Sequence, residues 1–257
     1  MRHVYHGVLA ALLVTFIAAS AKAEIPFDNL VALWTFDADS GTVLEDISGN
    51  GNDGELIGDP AWVPGQFGNA IQFESAKQQR VEVPDSDSLN PTTAISIVAW
   101  GYLEDDAGNR RFLQKSTPGS DNQYRLLLEW GDFKFDAGPG VAPKEVTAPV
   151  FPVQEWHHVA GVYDGAELAL YIDGVKEASV AAKGEMIIPP TSTLFIGTKH
   201  PNAPEGDYWN GMIDEVAIFN VGLTEDQIKE IMNGFEKGLA VEARGKLATS
   251  WGRLKVE

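Results

Sequence analysis

The 257-residue chain predicts an all-β fold, a sandwich of two antiparallel sheets with one short C-terminal helix. Three observations carry this. About a dozen short apolar or alternating runs are separated by Gly, Pro, Asn and Asp. Two Asp-Gly dipeptides, at 164–165 and 173–174, each lie between two such runs, which is the strongest short-range hairpin signal. Residues 224–235 alone stand out as helix, with a helix-opening pattern ahead of apolar residues at helical spacing.

At the N-terminus, residues 8–19 (VLAALLVTFIAA) form an apolar run behind Arg2 and His3. Ala21-Lys22-Ala23 then has the small-x-small form that signal peptidase cuts. The run is short for a membrane span, and no stop-transfer pattern follows it. Residues 1–23 are therefore expected to be a cleaved secretory signal, residues 24–238 the folded domain and residues 239–257 a basic extension carrying Trp251. The expected location is extracytoplasmic, periplasmic or extracellular, with no stable membrane insertion after cleavage.

Residues 30–36 (LVALWTF) read as a strand covered on both faces, and 70–73 (AIQF) and 80–83 (RVEV) alternate. Residues 95–103 (ISIVAWGYL), 112–115, 124–130 and 133–136 follow as strands. The two Asp-Gly turns join 157–163, 168–172 and 176–180 into a meander, and 193–197 and 212–219 complete the set. Thr224-Glu225-Asp226-Gln227 has capping-box form, and Ile228, Ile231, Met232 and Phe235 fall on one helical face. Trp100, Trp156 and Phe219 are expected in the core. His157 and His158 point to opposite faces of one strand and are expected to be satisfied structural residues rather than ligands of one ion.

Composition narrows the function. The chain has no Cys, so a secreted domain must be held by its core, or by a core plus metal. Asp and Glu number 37 against 19 Lys and Arg, which argues against nucleic acid and anionic membranes as partners. Residues 46–56 (DISGNGNDGEL) match the first half of an EF-hand loop at Asp46, Ser48, Asn50 and Gly51. The match then fails, because position twelve is Ile57 and the flanks are strands. The loop is rich in hard oxygen donors, as calcium requires, but Asn and Asp also build ordinary turns. From the loop alone, both readings stand.

Several stretches occur in a recognisable order: 31–37 (VALWTFD), 46–56, 65–73 (GQFGNAIQF), 95–100 (ISIVAW), 156–163 (WHHVAGVY), 170–174 (LYIDG), 211–219 (GMIDEVAIF) and 223–228 (LTEDQI). In this order they resemble the laminin-G-like family of concanavalin A-like jelly rolls, over roughly residues 30–235. The resemblance implies a two-sheet jelly roll used for extracellular carbohydrate or protein binding, often with a structural calcium. It implies that the first and late strands are neighbours, so that Asp37 and Asp214 approach each other. Two close carboxylates repel unless a cation or proton joins them. Asp37 and Asp214 are thus the implied calcium ligands, with Asp46 and Asn52 as further candidates. The alternative is that Asp214 bonds the backbone of the 46–54 loop without an ion.

Catalysis is not expected. The fold's retaining glycosidases present carboxylates as E-x-D-x-x-E or E-x-D-x-E, and neither occurs. Glu104-Asp105-Asp106 is the nearest approach, and it lies in a loop. No nucleophile triad, zinc spacing or phosphate loop is present. A glycan site needs aromatic faces with a few polar groups. Tyr124, Trp130, Tyr208 and Trp209 are the candidates, with residues 201–207 (PNAPEGD) as a rim. An extracellular protein partner, docked through Trp251 and the basic tail, is the alternative.

Overall fold

The computed structural model describes residues 23–117, 122–187, 192–200 and 207–235. The expected signal segment, most of the 201–207 rim and the tail with Trp251 lie outside the described residues.

Sixteen strands and one α-helix are found among the described residues. The first eight strands are β1 (Leu30–Trp34), β2 (Val43–Leu44), β3 (Gly54–Ile57), β4 (Ala61–Pro64), β5 (Asn69–Phe73), β6 (Arg80–Val83), β7 (Ile95–Leu103) and β8 (Arg110–Ser116). They are followed by β9 (Asn122–Glu129), β10 (Asp132–Asp136), β11 (Glu145–Pro149), β12 (Trp156–Tyr163), β13 (Glu167–Ile172), β14 (Val175–Ala181), β15 (Thr193–Ile196), β16 (Gly211–Phe219) and α1 (Glu225–Ile231). The first sheet has the order β14-β13-β12-β7-β16-β5-β4, with β1 also on β16. The second has the order β11-β10-β9-β8-β15-β6-β3-β2. Every strand pairing is antiparallel. This is the expected two-sheet jelly roll with one short helix.

The main core lies between the sheets and includes Trp34, Phe73, Phe112, Phe133, Phe135, Tyr163 and Trp209. A second apolar layer lies outside the first sheet. There Ile228, Ile231 and Phe235 pack with Leu33, Val98, Ala160, Val162 and Phe219. This explains why β1, β7 and β16 are apolar on both faces. The helix starts where the sequence predicts: the Thr224 side chain accepts from Gln227 N–H, and the Gln227 side chain accepts from Thr224 N–H. Thr224→Ala should lower stability by about 1 kcal/mol in urea unfolding.

The late strand β16 changes partners along its length. Gly211–Ile213 pair with β5, and Val216–Phe219 pair with β1. Between them the ladder bulges at Asp214, and Glu215 takes a left-handed φ of 51°. A strand that leaves one neighbour for another needs such a bulge. It leaves Asp214 facing the gap between β5 and β1.

Trp130, expected at the end of a strand, lies instead in the β9–β10 turn. Its φ is 58° and that of Gly131 is 84°, the pair of positive values a tight hairpin turn requires. Strands β2, β3, β4 and β11 have no counterpart among the predicted elements.

Candidate functional site

The first candidate centre is the 65–69 turn. Asp214 Oδ2 accepts Phe67 N–H at 3.0 Å, and Asp37 Oδ1 accepts Asn69 N–H at 3.2 Å. The two carboxylates thus bracket one turn. Gly65 has an ordinary φ and is there for space, since a Cβ would meet Asp214 Oδ2 at 2.7 Å and Asn69 O at 2.8 Å. Gly68 has φ 50°, and a Cβ there would overlap Asp37 Oδ1. Asp214 is fully buried, and its Oδ1 has no hydrogen-bond partner among the described residues. Burial, with the nearby Asp37 charge, pushes its carboxyl up to about 7, against the pull of the Phe67, Glu215 and Gln66 N–H groups.

Asp46 and Asn52 do not join this pair, a correction to the implied four-residue set. Asp46 Oδ1 accepts from Leu33 N–H and Ser48 N–H, both at 3.0 Å. Its Oδ2 accepts from Ser48 Oγ–H and Asn52 N–H, both at 2.9 Å. With both oxygens doubly bonded, no lone pair is left over for a cation. Asn52 donates to Val31 O and accepts from Ser86 Oγ–H. Residues 46–54 are therefore a turn that laces onto β1. The backbone that Asp214 grips is the 65–69 turn, not this one. Among the described residues, no three or more His, Cys, Asp and Glu gather about one point. A cation between Asp37 and Asp214 would take its remaining oxygens from backbone carbonyls. The orphaned Asp214 Oδ1, the like charge of Asp37 nearby and the all-oxygen donors fit a calcium ion.

Asp214, Trp100 and His158 lie in register across β16, β7 and β12. Phe67 lies edge-on to Trp100 at 6.1 Å, and Trp100 lies edge-on to His158 at 5.4 Å. His157 is satisfied at Nδ1 only, which lies 2.8 Å from Asp173 Oδ2, while its buried Nε2 has no hydrogen-bond partner among the described residues. His158 is buried, and neither ring nitrogen has a partner among the described residues. Desolvation lowers its pKa to about 4, opposed by Asp173. Phe219 and Trp100 are buried as expected, while Trp156 is only half-buried against Tyr102.

The second candidate centre is a cleft of about 480 Å3 lined by Asp106, Gly108, Asn109, Trp130, Gly131 and Asp207. The loop between β7 and β8 is built around Asp105. Its carboxylate accepts from Ala107 N–H at 2.9 Å and Asn210 Nδ2–H at 2.6 Å, and pairs with Arg110 at 2.9 Å. That anchoring leaves exposed Asp106 at the mouth. Asn109 Oδ1 accepts Trp130 N–H at 3.1 Å, fixing the β9–β10 turn beside it. Asp207 closes the far wall, where it pairs with Arg111 at 2.5 Å and Lys199 at 3.4 Å.

Of the four aromatic candidates, only Trp130 meets solvent, at 82 % exposure. Tyr124 is fully buried and donates to Leu89 O at 3.0 Å. Trp209 is fully buried on Phe112, their ring centres 4.1 Å apart, and Tyr208 is buried beside it. These three are packing residues, not ligand platforms. Asp106 and Asn109, which line this cleft, were not among the sequence candidates for binding; their only signal was a place in a polar loop, which fits any surface. A further cleft of about 530 Å3 beside Asp37 includes Trp62. That indole is half-buried on the core and donates to Gly41 O at 3.2 Å.

No curated protein matches the chain by sequence. Solved structures match it in fold. Domain 4 of AbnA, an extracellular arabinanase of Geobacillus stearothermophilus solved with arabinotriose, is 20 % identical with a TM-score of 0.65, covering 79 % of this chain and 98 % of that one. The binding domain of Paraclostridial Mosquitocidal Protein 1 is 18 % identical with a TM-score of 0.61, covering 81 % of this chain and 53 % of that one. Trypanosoma rangeli sialidase is 17 % identical with a TM-score of 0.61, covering 86 % of this chain but only 35 % of that one. The family model Laminin_G_3, of the concanavalin A-like lectin/glucanases superfamily, matches residues 75–229. With more than half its length inside that model, the chain belongs to this family of jelly-roll domains.

Proposed function

We propose that the protein is a secreted, non-catalytic binding module whose ligand is a glycan held on Trp130. One observation carries this. A bulky indole occupies the left-handed region, which disfavours side chains by roughly 1–2 kcal/mol, and it is 82 % exposed. It stabilises little in the fold, yet it stands at a cleft with a carboxylate and an amide. An aromatic face flanked by polar groups is what a sugar ring needs. Residues 1–23 are the export signal in this reading, 24–238 the binding domain and 239–257 an extension. No helix of the described residues is long and apolar enough to cross a membrane.

A structural calcium completes the proposal. Asp37 and Asp214 would hold it against the 65–69 turn and so pin β1 to β16. Its chemistry there is charge neutralisation.

The test is isothermal titration of the 24–257 chain with hits from a glycan array. Trp130→Ala should weaken binding about tenfold or more while stability stays within about 0.5 kcal/mol. Unchanged affinity would remove Trp130 from the site. The binding domain of the mosquitocidal protein among the fold neighbours is compatible with a second reading, an extracellular protein as ligand. A silent array with a captured protein partner would favour that reading.

A further inference from the structure

We infer that the Trp130 cleft is selective for neutral glycans and rejects anionic ones, with Asp106 setting the selectivity. This rests on the cleft being the glycan site.

A uronic acid, sialic acid or sulfated sugar is recognised through Arg or Lys, best by a bidentate guanidinium. Among the described residues, no cation lines this cleft, and those behind it are already engaged. Arg110 pairs with Asp105 at 2.9 Å. Arg111, only 4 % exposed, pairs with Asp207 at 2.5 Å and with Glu129 at 3.1 Å. Its Nε also donates to Gln114 at 3.2 Å. Lys199 lies 3.4 Å from Asp207, and Lys134 lies 3.5 Å from Glu129. Freeing the Arg111 guanidinium for a ligand would leave Asp207, almost fully buried, and Glu129 with only their longer contacts to Lys199 and Lys134.

Asp106 is the opposite case. It is exposed, lines the cleft and has no cation or hydrogen-bond donor within reach among the described residues. Its full negative charge therefore faces the ligand. A carboxylate accepts two sugar hydroxyls well. It repels a sugar carboxylate or sulfate, and this field adds to that of a chain with net charge −18. The indole face is indifferent to this choice, since it stacks on any sugar ring. Selectivity thus falls to Asp106, the unpaired charge at the mouth among the described residues.

The experiment titrates the 24–257 chain with neutral galacto-, arabino- and gluco-oligosaccharides and with oligogalacturonate of matched length, at low and high salt. Neutral chains should bind at least about tenfold more tightly at low salt, and the gap should shrink as salt rises. Asp106→Asn, which keeps the side-chain shape, should narrow the gap at low salt by improving oligogalacturonate binding. Equal or tighter binding of oligogalacturonate by the wild type would overturn the selectivity and leave the glycan site standing. A gap unaltered by Asp106→Asn would overturn the role of Asp106. Failure of every glycan to bind would defeat the glycan reading itself, and this inference with it. Unchanged circular dichroism and melting of Asp106→Asn exclude misfolding as the cause.

Discussion

Trp209→Ala is expected to destabilise the protein by about 3–5 kcal/mol, a fall in Tm on the order of 10 °C for a chain of this length. The indole is fully buried between the sheets, tilted 45° on Phe112 with ring centres 4.1 Å apart. Its Nε1–H donates to Met212 O at 3.2 Å, so truncation leaves both a cavity and an unmet acceptor. Gly101 is shaped to this pair: a Cβ there would run into the Phe112 ring and approach the Trp209 ring at 3.3 Å. Urea unfolding of Trp209→Ala beside Trp130→Ala separates the core indole from the exposed one. A Trp209 variant that stays within about 1 kcal/mol of the wild type would contradict the packing described here.

The second large effect is a pH dependence that calcium should reverse. In EDTA, the folded Asp214 carboxyl titrates at about 7, against an ordinary 3.8. Between those values the folded state holds a proton that the unfolded state has released. Stability attributable to this group is therefore present below about pH 4 and lost as pH rises to about 7, by on the order of 3–4 kcal/mol. His158 acts at the other end. Its folded pKa of about 4 lies below the ordinary 6.5, so stability falls as pH drops from about 6.5 to 4, by about 3 kcal/mol.

A calcium ion beside Asp214 favours the ionised form. Calcium at about 100 times its dissociation constant should add roughly 2.7 kcal/mol, on the order of 5–10 °C in Tm, with more at pH 8 than at pH 5. Asp214→Asn should abolish the calcium shift and flatten the alkaline limb. His158→Phe should flatten the acid limb alone. Thermal melts in EDTA and in millimolar calcium across pH 4–8 provide the check. A wild type indifferent to calcium at pH 8 would reduce Asp214 to a backbone acceptor for the 65–69 turn.

Much of the architecture was legible in the chain. The Asp173-Gly174 turn, with φ 50° and 75°, joins β13 to β14 where predicted. The other Asp-Gly turn is wider: Asp164 Oδ1 accepts both the Ala166 N–H and the Glu167 N–H at the start of β13. The short strands β2, β3, β4 and β11 escaped because two to five residues carry too little pattern against a turn-rich background.

The sites were less legible. Tyr124, Trp130, Tyr208 and Trp209 are similar as amino acids, and three are buried while one is exposed. Burial depends on which sheet face a residue takes and on what packs over that face. Sequence spacing does not record either.

By itself, then, the chain determined the two-sheet class, the meander and the capped helix, and the family resemblance implied that Asp37 and Asp214 approach each other. Those follow from local propensity, turn chemistry and an ordered set of family motifs. Tertiary structure decided the rest. The β16 bulge orphaned Asp214 Oδ1, the 46–54 loop consumed Asp46 and Asn52, and three separate loops brought Asp106, Asn109, Trp130 and Asp207 to one cleft. Such a constellation is set by long-range strand order, and the chance of two loops meeting is not written in either loop.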